Sequence, residues 1–246
     1  MKTQKTNAWS FATAKLHVII AIAMITVIGF AFATCGDKDG DDDGDDTSPT
    51  DGGGSTSLVF TDQQVYEFVV GGAGTTLEAV TGSSHAGSYP NYSSSFGNQG
   101  TFADAFTSPV CTIANGKLTV NLGVPKAAVL ETMEELEWDD VVDGSDTTAK
   151  IFTLSNFYDN SHSMSLNKDR ETEVSDYVLF VYVDKPVTLI GSLDYYTFNS
   201  VSLTTGWNML LFDYTPAGST GPQNYAVTKI TALDSTYKWV IYEMGD

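Results

Sequence analysis

Tyr177-Val178-Leu179-Phe180-Val181-Tyr182-Val183 is the stretch on which the fold turns. It runs without a polar break and is rich in β-branched and aromatic side chains. Its length and branching make it a strand rather than a helix. Alternation puts Val178, Phe180 and Tyr182 on one face, and Tyr177, Leu179, Val181 and Val183 on the other. Both faces are apolar, which a half-exposed edge strand would not be. The strand is therefore central, and something must cover each side of it. Asp184-Lys185-Pro186 ends it.

The sequence around it repeats the same grammar. Val110 to Ala114 and Lys117 to Leu122 flank Asn115-Gly116, two residues that accept φ > 0, so they form a hairpin. Leu118, Val120 and Leu122 alternate with Lys117, Thr119 and Asn121, one face dry and the other wet. Gln64 to Val70, Lys150 to Leu154, Val187 to Phe198, Trp207 to Tyr214, Ala226 to Thr231 and Lys238 to Tyr242 read as further strands. Thr81 to Thr101 and Ser155 to Ser175 read as long polar loops. Pro125 to Trp138 is the single helix expected. Pro125 suits a first turn, and Val129, Met133 and Leu136 fall at i, i+4 and i+7. That stripe would cover one face of the central strand. Short strands with turns between them predict a mainly β fold, an antiparallel β-sandwich with one short amphipathic helix. Trp207 and Trp239 belong to its core, and Asn208 bonds the turn before it.

The N-terminus has a different character. Lys2, Lys5 and Lys15 precede an uncharged run from Val18 to Thr34, and no acid occurs before Cys35. The run is short for a spanning helix and ends in small residues, as a cleaved signal does. Phe32-Ala33-Thr34-Cys35 has the form of a lipobox, with Phe32 in place of the usual aliphatic residue. Residues 1–34 are thus read as a lipoprotein signal peptide, with Cys35 as the lipidation site. Several acyl chains there would hold a membrane, at about 0.8 kcal/mol per buried CH₂. Residues 35–57 are an acidic, Gly-rich tether whose composition cannot offset its own ordering entropy. Asp39, Asp41, Asp43 and Gly44 imitate a calcium loop, but Thr50 stands where the bidentate Glu belongs, and a solvated spacer is the better reading. Residues 58–246 form the folded domain.

The chain carries 31 acidic and 12 basic residues, a formal net charge of −19. Such a surface repels nucleic acid and anionic lipid. Of the two cysteines, an acylated Cys35 leaves Cys111 without a partner, so no disulfide and no cysteine-based zinc site is expected. Cys111 sits in an apolar strand as a small hydrophobe. After the signal only His85 and His162 remain, and no H-x-x-x-H pair occurs. Gly82-Ser83-Ser84-His85-Ala86 lacks the second glycine of a nucleophile elbow and its strand–turn–helix setting. No cofactor motif, phosphate loop or metal site is expected. Tyr89, Tyr92, Tyr195 and Tyr196 lie in or beside loops and are the candidate ligand-binding residues. Exposed aromatics there could stack on sugar rings.

Asn115 to Val120, Lys150 to Phe152, Tyr177 to Lys185, Ser202 to Asn208 and Tyr237 to Trp239 occur in this order. With the lipobox and the Gly-Asp-Lys-Asp that follows it, they resemble a group of uncharacterised bacterial surface lipoproteins with a Gly-Trp-Asn turn before a late strand. The resemblance covers roughly residues 110 to 242. It implies a lipid-anchored, β-rich envelope protein facing the periplasm or the cell exterior, and offers no catalytic residues to carry over. The function expected is a non-enzymatic binding or adhesion module, with a glycan or protein ligand. The alternative is a structural envelope lipoprotein without a ligand. A hydrolase built on Ser84 and His162 is the third reading.

Overall fold

The computed structural model describes residues 55–71, 74–96, 98–142, 147–168, 176–215 and 224–244. Cys35, the signal peptide and nearly all of the tether lie outside the described residues. Ser55, which composition assigns to the tether, already bridges Trp207, whose N–H donates to the Ser55 carbonyl.

The strands in chain order begin with β1 (Leu58–Gly71), β2 (Gly74–Ala79), β3 (Gly87–Ser88), β4 (Asn91–Ser93) and β5 (Gln99–Thr101). After helix α1 (Phe102–Ala105) come β6 (Val110–Ala114), β7 (Lys117–Leu122), β8 (Glu131–Thr132), β9 (Lys150–Leu154), β10 (Asn156–Tyr158) and β11 (His162–Lys168). The last are β12 (Asp176–Val183), β13 (Val187–Leu193), β14 (Tyr196–Leu203), β15 (Gly206–Thr215), β16 (Asn224–Ile230) and β17 (Tyr237–Glu243). The protein is mainly β, as the alternating patterns require.

The predicted central strand is β12. It pairs along its length with β15, Tyr177 opposite Phe212 and Val183 opposite Gly206. Its other edge takes β9 at one end and β11 at the other. From β15 the sheet continues through β16 to β14 and β13. From β11 it continues through β17 to β1 and β2. Strand β10 lies on the free part of the β11 edge, and β4 and β5 follow it. Strand β1 serves two sheets: its first half pairs with β7, which leads through β6 to β3. A bulge between Phe60 and Gln63, with Asp62 at φ 54°, marks the change. The pairing is antiparallel except at β1–β17 and β14–β16, which are parallel, so the network is mixed.

Two apolar cores meet the two faces of β12. The first gathers Val178, Phe180 and Tyr182 with Trp207 and Trp239, and with Phe60, Leu118, Val120 and Leu122 of the second sheet. The second gathers Leu179, Val181 and Val183 with Leu189, Phe198, Val201 and Leu203 of the β13–β14 hairpin. Both Leu179 and Phe180 are fully buried, so the two-sided burial read from the sequence holds.

The helix expected over Pro125 to Trp138 does not form. Lys126 is extended (φ −63°, ψ 145°), Ala127–Val129 makes a single 3₁₀ turn, and Glu131–Thr132 pairs with β9. One further turn follows, closed by a capping box. The Glu135 N–H donates to Thr132 Oγ1 (3.2 Å), and the Thr132 N–H donates to Glu135 Oε2 (2.7 Å). The reason lies in where the apolar residues go. Val129 and Leu130 pack on the first core, whereas Met133, Leu136 and Trp138 enter the second. A straight helix has one apolar stripe and cannot serve both. Glu131, Glu134 and Glu135 also place like charges at i, i+3 and i+4, which disfavours a helix. The segment still covers β12, but as turns. The polar stretches read as loops hold short strands instead: β3 to β5 lie within 81–101, and β10 and β11 within 155–175.

Candidate ligand-binding face

Beside the second core, the same side of the sheet carries residues that belong to neither core cluster, although Val240 and Asn167 among them are buried. Register fixes which residues lie there. Trp239 and Ile241 of β17 point into the first core, so Lys238, Val240 and Tyr242 face the other way. Their partners follow: Tyr66 opposite Val240 on β1, and Asn167, Ser165 and Ser163 opposite Lys238, Val240 and Tyr242 on β11. Phe68 lies one pleat beyond Tyr66. On β10, Asn156 and Tyr158 complete the face opposite Ser165 and Ser163. None of these residues belongs to either core cluster.

The face is aromatic and hydrogen-bonding together. The Phe68 and Tyr242 rings stand 5.6 Å apart, tilted 44°. The Lys238 ammonium lies 5.3 Å from the centre of the Tyr66 ring, a cation–π contact. Asn167 Nδ2 donates to the Tyr242 hydroxyl (2.9 Å) and to Ser165 Oγ (3.0 Å). Burial is the main cause that raises the Tyr242 phenol above its ordinary pKa. Phe68 is the most open of these rings, 39% exposed.

The four tyrosines singled out from the sequence do not assemble into a site. Tyr89 and Tyr92 are buried in the first core, Tyr92 against Phe102 and Phe152. Tyr196 packs among Phe96, Phe212 and Tyr225 at the second core. Tyr195 alone is open, 57% exposed at the β13–β14 turn. Loop aromatics pin their own segments here. The residues that form a shared surface were missed because they sit on alternate positions of strands whose other face is core. The signal was present in Ser163-Met164-Ser165-Leu166-Asn167 and Lys238-Trp239-Val240-Ile241-Tyr242, where polar or aromatic positions alternate with core positions.

The two remaining histidines meet beneath this face, on the core side of the same strands. His85 Nε2 donates to Glu67 Oε2 at 2.8 Å, and the His85 and His162 rings touch edge to face, 4.7 Å apart. His162 Nδ1 lies 3.4 Å from Asp159 Oδ1, which also accepts the Ser161 and His162 N–H groups at 2.7 Å each. His85 takes a left-handed backbone, φ 58°. Ser84 Oγ donates to the Thr81 carbonyl (3.0 Å), not to a histidine. Cys111 is buried, and that burial pushes its thiol up, away from nucleophile character. Among the described residues no group of three or more His, Cys, Asp or Glu is arranged to hold a metal ion. No described helix is long and apolar enough to cross a membrane.

The Gly-Trp-Asn turn is built as expected. Asn208 Oδ1 accepts from the Thr204 N–H (3.1 Å), and Nδ2 donates to the Thr204 and Gly206 carbonyls (2.8 and 3.0 Å). Gly206 holds φ 99°. These bonds fix the entry to β15.

Comparison with protein-family models, curated proteins and solved structures finds no match to the chain.

Proposed function

We propose that this chain is a lipid-anchored protein of the bacterial cell envelope that acts as a non-enzymatic binding module. The anchor reading rests on the Lys-flanked apolar run ending at Cys35 and on the acidic tether that follows. The observation that carries the binding reading is the face of β1, β17, β11 and β10 that lies outside both cores, with Phe68 exposed on it. Aromatic rings, amides and hydroxyls share one surface there, outside both cores. Aromatic groups gathered on one surface outside the core are the kind of patch at which partners dock.

The test is direct. The chain from Gly36 onward, labelled and applied to immobilised envelope fractions, polysaccharides and matrix proteins, should bind at least one of them. Binding should fall when Phe68 or Tyr242 is changed to Ala, with the unfolding midpoint of Phe68→Ala unchanged. Binding that neither change affects, or none to any of these, would leave the chain a structural envelope lipoprotein.

A further inference from the structure

We propose that Tyr177 and Tyr196 form an oxidative modification site, at which a one-electron oxidant joins the two rings as an intramolecular dityrosine. The first argument is where the tyrosines stand. Tyr177 of β12, Tyr196 of β14, Tyr214 of β15 and Tyr225 of β16 share the second-core side of their strands. Each lies two residues from a core position: Leu179, Phe198, Phe212 and Val227. Register gathers them, with Tyr225 opposite both Tyr196 and Tyr214, and Tyr177 opposite Phe212. The Tyr225 ring lies 5.5 Å from that of Tyr196, 5.4 Å from Tyr214 and 5.9 Å from Tyr177. Among the described residues, every tyrosine–tyrosine ring contact falls within this group.

The second argument is the hydroxyls. That of Tyr177 shares hydrogen bonds with those of Tyr196 and Ser95. An oxidised phenol carries its unpaired spin on the ring carbons beside the oxygen, and two such carbons join in dityrosine. A hydroxyl–hydroxyl contact sets those carbons of Tyr177 and Tyr196 beside one another. The in-register pairs are placed worse, because directly opposite residues hold their Cβ atoms about 5 Å apart, closer than two linked rings allow. Burial is the main cause that pushes the Tyr177 phenol up, so its proton leaves together with the electron. Tyr177, Tyr196 and Tyr225 are half-buried, and Tyr195, the chain neighbour of Tyr196, is 57% exposed. A radical formed on Tyr214 or Tyr225 passes to the pair through the ring contacts.

The co-reactant is peroxide acting through a haem peroxidase. Each phenol gives up one electron and one proton. The two ring carbons form one C–C bond, and the hydrogens displaced from them move to the two oxygens, which restores the phenols. Peroxide takes up the two electrons and two protons and leaves as two waters. The product ties β12 to β14 across the second core. Among the described residues the one cysteine, Cys111, is free and buried, so no disulfide joins them. A dityrosine would constrain the unfolded chain as a disulfide does.

The test treats full-length protein in detergent micelles with a haem peroxidase and one equivalent of hydrogen peroxide. Blue dityrosine emission should appear in the monomer band of a denaturing gel. Peptide mapping should find Tyr177 and Tyr196 in one linked species, two hydrogens lighter than the separate peptides. Tyr177→Phe and Tyr196→Phe, which keep the rings, should each lower the emission about tenfold. Tyr182→Phe, on the other face of β12, should leave it unchanged. Oxidation of the urea-unfolded chain should lose the preference for this pair, and the linked native fraction should unfold at a higher urea midpoint. A link mapped to another pair, dityrosine confined to intermolecular dimers, or emission that survives both Phe variants overturns the assignment. So does the absence of dityrosine where free tyrosine in the same mixture is coupled.

Discussion

Leu179 and Phe180 are neighbours in sequence that serve opposite cores, and truncating each in turn measures both faces of the central strand. Phe180 is fully buried, stacked 12° from parallel on Trp239 at 5.9 Å and tilted against Phe60 at 5.5 Å. Phe→Ala in such a site costs about 3–5 kcal/mol, as lost transfer energy plus the cavity left behind. Leu179 is as deeply buried in the second core, and Leu→Ala there costs about 2–5 kcal/mol. Aspartate at either position adds the burial of an unpaired charge, about 3–5 kcal/mol more. That sum approaches the whole stability of a domain, about 5–15 kcal/mol. The Ala variants are therefore the ones to titrate. With a urea m-value of about 2–3 kcal/mol/M, each midpoint should fall by roughly 1–2 M at unchanged slope. A double-mutant cycle sharpens the test. Phe180→Ala and Trp239→Ala should couple by about 0.5–1.5 kcal/mol through their stacking. Leu179→Ala and Trp239→Ala, on opposite faces, should add to within about 0.5 kcal/mol. An Ala variant that unfolds at the wild-type midpoint would mean that its face is wet, and the account of two cores would be refuted.

Three further outcomes are expected. Changing Cys35 to Ser should abolish incorporation of a fatty-acid probe and release the protein from membranes; undiminished labelling would refute the anchor. Gly116 holds φ 72° in the β6–β7 turn, and a Cβ there would fall 2.0 Å from the Val80 carbonyl oxygen. Gly116→Ala should therefore destabilise by several times the ~1 kcal/mol of an ordinary glycine replacement, seen as a large drop in thermal midpoint. Burial would raise the Asp159 carboxyl, but N–H bonds from Ser161 and His162 outweigh it and hold it below the usual aspartate value. A depressed folded value contributes stability above about pH 4 that is lost as pH falls through it. The stability gap between wild type and Asp159→Asn should accordingly be present at pH 6 and shrink at pH 3, as urea midpoints will report.

Much of the fold was legible because it is written in period two. The hairpin at Asn115-Gly116 and the double burial of β12 follow from alternation and turn chemistry alone, and so does the core position of Trp207 and Trp239. The Asn208 turn was readable because an Asx side chain one residue past Gly-Trp has few partners but its own turn. What failed were the segments where local pattern and tertiary demand diverge. Pro125 to Trp138 has a helical spacing, yet its apolar residues divide between two cores. His162 to Lys168 looked irregular because its outward positions are Ser and Asn, and only pairing with β17 makes it a strand. The parallel contact of β1 with β17 joins the two ends of the domain, and no local signal encodes so distant a pairing. Tyr89 and Tyr92 looked like loop aromatics for the same reason: β4 pairs with β10, far along the chain, and that pairing turns Tyr92 inward.

The boundary between covered and uncovered sheet can itself be derived from the alternating positions. On β12 and β15 both sets are apolar: Leu179, Val181, Leu210 and Phe212 lie on the side that the β13–β14 hairpin and Trp138 cover. Tyr177 pairs with Asn167, so that side continues directly onto β11. There the same positions become Asn167, Ser165 and Ser163, and on β17 Lys238, Val240 and Tyr242, of which only Val240 is a buried aliphatic, while the opposite positions remain Met164, Leu166, Trp239 and Ile241. A sheet buried on both sides needs apolar residues at both sets, and one wet on one side needs them at only one. The change from Leu and Val to Ser and Asn across a single strand step is therefore where the second core ends. The aromatic rings beyond it, Phe68 and Tyr242, are not remnants of that core. They lie past the edge of that core, Tyr242 on β17 and Phe68 on β1, with their rings 5.6 Å apart.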